Sequence, residues 1–189
     1  MKRYLCAAVA LSCVALLSAC GGPVVYKDYY GAGYSHDEIM AFNGDKDMKL
    51  IVIGNPYPTD KKEFLDIIGT AMSGNNPGLP IRFTGTPVDA PDAPLRTVVL
   101  FNPATDTLGQ TLCGDALPTP PEDGLPDTAV LTLCKNTSEF STVWLKIPEG
   151  AEPGGEEFAF AFATATRTLF KVQPDPRKGG GATCLFGSC

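Results

Sequence analysis

Histidine occurs once in this chain of 189 residues, at His36, and tryptophan once, at Trp144. A transition-metal site would therefore have to be assembled from carboxylates, and no oxygen-ligand cluster is legible. Basic residues are also sparse, 15 Lys and Arg against 21 Asp and Glu. They form no cluster of the kind that phosphate contacts need, which argues against nucleic acid as a partner. No Gly-Lys-Ser or Gly-Lys-Thr triplet occurs, and Gly179, Gly180 and Gly181 have no strand before them and no helix after, so a phosphate-cradling loop is excluded. The longest apolar stretch, Tyr4 to Leu17, falls short of the roughly 20 residues that span a bilayer.

What the chain does have begins at its start. Lys2 and Arg3, the apolar stretch, and the small residues Ser18 and Ala19 make the three parts of an export signal. Its ending, Leu17-Ser18-Ala19-Cys20, resembles the lipobox of bacterial lipoproteins. The resemblance implies that Cys20 receives a diacylglycerol, that residues 1–19 are removed, and that the new amino group is acylated. Several acyl chains make such an anchor stable where one would bind only marginally. Cys13 competes poorly, because Leu11 stands where a small residue is wanted. Gly21, rather than Asp, after the cysteine implies a periplasm-facing place on the outer membrane, with the inner membrane or the cell surface as alternatives.

Loss of residues 1–19 leaves 13 Lys and Arg against 21 Asp and Glu, a net charge of −8. Lipid, not charge, must then hold the protein to a membrane. Cys6 and Cys13 leave with the signal and Cys20 takes lipid, so Cys113, Cys134, Cys184 and Cys189 remain, an even number in an oxidising compartment. Two disulfides are expected, and the pairs Cys113 with Cys134 and Cys184 with Cys189 are preferred because each closes a local loop. A zinc site from the same four residues is disfavoured, since their spacing lacks the paired C-x-x-C of zinc ribbons.

Length allows one domain. Residues 20–34, glycine-bounded and without a sustained period, are read as a lipidated tether, residues 35–173 as the globular domain, and residues 174–189 as a flexible Gly/Pro tail with a cysteine pair. Within the domain, Ser35 caps a helix over 36–42, and Thr59 caps a second over 60–73, whose Phe64, Leu65, Ile67, Ile68, Ala71 and Met72 recur at helical steps. Strands are expected at 49–54, 81–84, 96–101, 128–134 and 140–147, with a long loop over 102–127. Residues 156–171 carry Phe158, Phe160 and Phe162 in alternation, yet their length and alanine content favour a helix. The expected fold is α+β: a single domain with a mainly antiparallel sheet of about four to five strands and two or three helices on one face. Leu50 to Ile53 and Val98 to Phe101 are expected to be central neighbours, in one cluster with the helix bearing Phe64, Ile67 and Ile68.

Candidate chemistry is thin. Ser35, His36 and Asp37 are neighbours on a helix start and do not converge as a triad must, so His36 is read as a solvent-facing residue. Asp45 and Asp47, near Asn43, echo a calcium loop without its full order. Glu156 and Glu157 are adjacent and suit a helix N-terminus better than glycoside chemistry. Asn55-Pro56-Tyr57-Pro58, at the end of a strong strand, is a rigid turn in a place where sites often sit. Tyr26, Tyr29, Tyr30 and Tyr34 cluster in the tether, where they can pack on the domain, sit at lipid headgroups or form a binding platform. No catalytic residue, metal ligand or cofactor is assigned. The expected role is a non-catalytic accessory or binding protein of the cell envelope, its partners the membrane and another envelope protein. An envelope hydrolase with a carboxylate site is the alternative.

Overall fold

The computed structural model describes residues 24–120, 124 and 127–173. The domain is α+β, and its strands are β1 (Val25–Tyr30), β2 (Asp47–Ile53), β3 (Arg82–Thr84), β4 (Leu95–Phe101), β5 (Thr128–Lys135) and β6 (Ser138–Lys146). Its helices are α1 (His36–Asn43), α2 (Lys61–Met72), α3 (Gly109–Leu112) and α4 (Glu156–Leu169). The strands form one sheet in the order β1-β6-β5-β4-β2-β3. The pairs from β1 through β4 are antiparallel, whereas β4 with β2 and β2 with β3 are parallel. The sheet is thus larger than expected and mixed. The parallel half arises because the chain leaves β2 through α2 to reach β3, the crossover that parallel pairing requires.

Residues 25–30, expected to belong to a tether, are a strand of the sheet. Val25–Tyr30 pairs with β6 as the sheet edge, with a bulge between Val25 and Lys27. Its alternation is too polar to read as a strand because four of its six positions are exposed. Two of the clustered tyrosines anchor the segment. Tyr30 donates its hydroxyl hydrogen to the Thr168 carbonyl, and Tyr34 donates to that of Lys171 at 2.8 Å, tying β1 to the end of α4. Burial pushes the Tyr30 hydroxyl up to about 12, with nearby Asp28 adding to the shift.

Period-two alternation divides the central strands between two cores. Leu50, Val99, Phe101, Ala129, Leu131, Leu133, Val143 and Leu145 face α2 and α4 with Phe64, Ile68, Phe158 and Phe162, and Ile39 of α1 joins them. Val98, Leu100, Val130 and Trp144 face the other way, onto Leu112, Cys113 and Cys134. The expectation of a single cluster is corrected here, since Ile51, Ile53, Val98 and Leu100 point away from α2. Ile67 of α2 packs against the first core as expected, and is partly buried there. α1, α2 and α4 lie on the first face. The short α3, in the segment read as loop, lies on the second.

Two close approaches fix these layers. A methyl at Gly69 of α2 would stand 2.5 Å from the Phe83 carbonyl oxygen, so only glycine lets α2 lie this near β3. At Gly109 an added carbon would overlap the Thr142 hydroxyl and the Glu139 carboxylate, so the start of α3 is pressed onto β6.

Asp47 holds the connection from β3 to β4. Its carboxylate accepts from the Val88 amide at 2.7 Å, the Asp89 amide at 3.3 Å and Arg82 Nε at 2.9 Å. The Val88 amide above all, then the Asp89 amide and Arg82, hold its acid constant below the ordinary 3.8 against the opposing effect of burial. A depressed carboxyl contributes stability above its unfolded acid constant, and the contribution disappears as pH falls through the lower folded value. Asp47→Asn should therefore be less stable than the wild type at neutral pH. The difference should shrink only below about pH 3.8, as read by urea unfolding across pH. A constant difference down through the acid range would contradict this role.

Candidate functional site

α2 and α4 lie side by side on the outer surface of the first layer and point the same way. Phe64 packs near Phe158 with ring centroids 6.3 Å apart, and farther along Arg167 Nη2 donates to Asn75 Oδ1 at 2.8 Å. Between them runs an open groove of about 900 Å³. Its floor is apolar: Ile67 and Ala71 from α2, Ala159 and Ala163 from α4. Phe160 stands beside it and is 60% exposed. The helical repeat explains this, because Phe158, Phe162, Ala165 and Leu169 take the inner stripe and leave Phe160 outside it.

The rim is charged in both signs. Lys62 pairs with Asp66 at 2.9 Å one turn along α2, and Glu63 and Arg167 complete it. Asp60 closes one end, but its carboxylate is committed to capping α2, accepting from the Lys62 and Glu63 amides at 2.8 and 3.3 Å. Those amides hold its acid constant below 3.8. Asp60 thus supplies the cap that the sequence reading gave to Thr59. The three acids of the groove belong to α2 and its cap and are open to water, Asp60 as the cap, Asp66 in the ion pair with Lys62, and Glu63 in the first turn. A surface of this kind can take up apolar side chains and fix their direction by charge.

A second recess, of about 460 Å³, opens at the carboxyl ends of β2 and β3 beside the start of α2. In a sheet with parallel strands that is a usual place for ligands. Asn55, from the turn flagged in the sequence, lies there. Its side chain is spent on the turn: the Tyr57 amide donates to Oδ1 at 3.0 Å, and Nδ2 donates to the Thr59 carbonyl at 2.6 Å. Tyr57 packs against Phe64 and Phe158. The anion-attracting start of α2 is already filled by Asp60.

The other sequence candidates are dispersed. His36 is half-buried rather than solvent-facing, with Nε2 3.1 Å from the Pro77 carbonyl oxygen, while the Ser35 hydroxyl accepts from the Glu38 amide as the cap of α1. Asp47 serves the backbone and Arg82, and among the described residues no group of three or more His, Cys, Asp or Glu is placed to hold a metal ion. Glu156 and Glu157 occupy the first turn of α4. Cys113 and Cys134 are joined in a disulfide. Cys20, Cys184, Cys189 and Gly179 to Gly181 lie outside the described residues.

Sequence alone points to no role for Phe160, Ala163 or Arg167. The available signal was an aromatic residue off the apolar stripe of α4. Among the described residues no helix is long and apolar enough to cross a membrane. Comparison with known proteins found no matching family model, no matching curated protein and no matching solved structure.

Proposed function

We propose that this chain is a lipid-anchored accessory protein of the bacterial envelope, held by Cys20 at the periplasmic face of the outer membrane, which binds another envelope protein through the groove between α2 and α4. The address rests on the Leu17-Ser18-Ala19-Cys20 ending. The observation that carries the role is the groove itself. It exposes Phe160 and an apolar floor between two parallel helices, with Lys62, Asp66, Glu63 and Arg167 around it. The matching partner surface is a segment with apolar side chains flanked by charges of both signs. Such anchors in a shallow recess supply most of the energy at interfaces, and the surrounding charges set orientation.

Phe160→Gln tests this reading, since glutamine keeps the helix propensity and position 160 makes little use of burial. The stability of the variant should stay within about 0.5 kcal/mol of the wild type. Restored to a strain lacking the gene, it should reach the membrane and yet fail to restore the wild-type phenotype. Full rescue would contradict the groove's role.

A further inference from the structure

Resting on the reading of Cys20 as the lipid anchor, we infer that β1 lies against the lipid headgroups, so that the domain sits on the bilayer by one defined edge. Val24, the first of the described residues, already accepts a hydrogen bond from the Lys146 amide at 2.8 Å. The reach from Cys20 to Val24 is at most about 14 Å even fully extended. The edge strand is therefore the part of the domain brought to the surface, and the opposite edge, β3, stands about 24 Å away across the sheet.

The chemistry of β1 fits that position. Tyr26, on the bulge, and Tyr29 are each 48% exposed, unlike Tyr30 and Tyr34, which are spent on α4. A ring with a polar tip suits the interface between hydrocarbon and water. Lys27 lies over the Trp144 ring, 4.0 Å from its centroid, and the exposed Lys146 projects from the same face of the sheet two residues beyond Trp144. In an acidic protein these two cations face lipid phosphate from beside the anchor. A partner strand added to this edge is the competing occupant, and the local sequence opposes it. The bulge between Val25 and Lys27 breaks the ladder, and exposed Lys27 and Asp28 are the devices by which edge strands resist pairing.

Hydroxyl-radical footprinting of the full-length lipidated protein tests the orientation. The protein is placed on vesicles of phosphatidylethanolamine and phosphatidylglycerol and compared with Cys20→Ala protein free in solution. Tyr26 and Tyr29 should be oxidised several-fold more slowly on vesicles, while Leu79 and Val88, exposed on either side of β3 in sequence, keep their solution rates. Equal rates at Tyr26 and Tyr29, or protection at Leu79 and Val88 instead, would overturn the proposal. Protection that rises with protein density on the vesicle would also overturn it, pointing to strand pairing between copies. The mass of the same sample separates the two failures. Absence of lipid on Cys20 would overturn the anchoring and the orientation together, and lipid on Cys20 with unprotected tyrosines would overturn the orientation alone.

Discussion

Phe64→Ala should destabilise the domain by about 3 to 5 kcal/mol, the range for deleting a fully buried aromatic ring. Phe64 is 1% exposed and lies 5.0 Å from Phe101, 5.6 Å from Tyr57 and 6.3 Å from Phe158 between ring centroids. It therefore joins α2, β4, α4 and the turn after β2, and its loss leaves a cavity that none of these can close alone. The measurement is urea unfolding followed by circular dichroism. Leu100→Ala, on the second face and 2% exposed, should cost about 2 to 5 kcal/mol. Ile51→Ala should cost less, because Ile51 is only partly buried. A Phe64→Ala effect as small as that of Phe160→Gln would contradict the placement of the core.

Removing the Cys113–Cys134 disulfide is the second large effect, expected at about 3 kcal/mol from the freedom returned to the unfolded chain. The bond closes a loop with a sequence separation of 21 and lies over the second face of the sheet. Arg96 fastens the same loop, donating to the Cys113 and Asn136 carbonyls, each at 2.7 Å. The sole tryptophan, Trp144, is 7% exposed within this second cluster and reports on it. The double variant Cys113→Ala, Cys134→Ala should unfold at a urea concentration lower by about 1 to 3 M, with tryptophan emission shifted to the red as the cover loosens. An unchanged midpoint would show that burial of Val98, Leu100 and Val130 holds the second face without the bond.

These two effects mark how far the sequence is legible. Helices with a full apolar stripe, such as α2 and α4, were readable to within a few residues, and so were the buried strands β2, β4 and β5, because burial leaves its period in the residue order. β1 was not, since an edge strand with a bulge carries no such period and its tyrosines act singly. Nor was the parallel pairing of β2 with β3 and β4, which depends on the path of the chain through α2 and not on any one segment. The division of Leu50 from Ile51 and of Val99 from Leu100 between two cores was hidden for a related reason. A strand buried on both faces is apolar throughout and shows no alternation. At the groove, Phe160 was visible as a residue but not as a surface, because α2 had first to be placed beside α4.

Anchoring through Cys20 is decided by the mass of the N-terminal peptide from protein extracted out of membranes. The expected peptide begins at Cys20, lacks residues 1–19, and carries a diacylglycerol on the thiol and an acyl chain on the amino group. Cys20→Ala protein should lose both the lipid and its retention in the membrane. An unmodified Cys20, lipid on Cys13, or lipid labelling that survives in Cys20→Ala would contradict it.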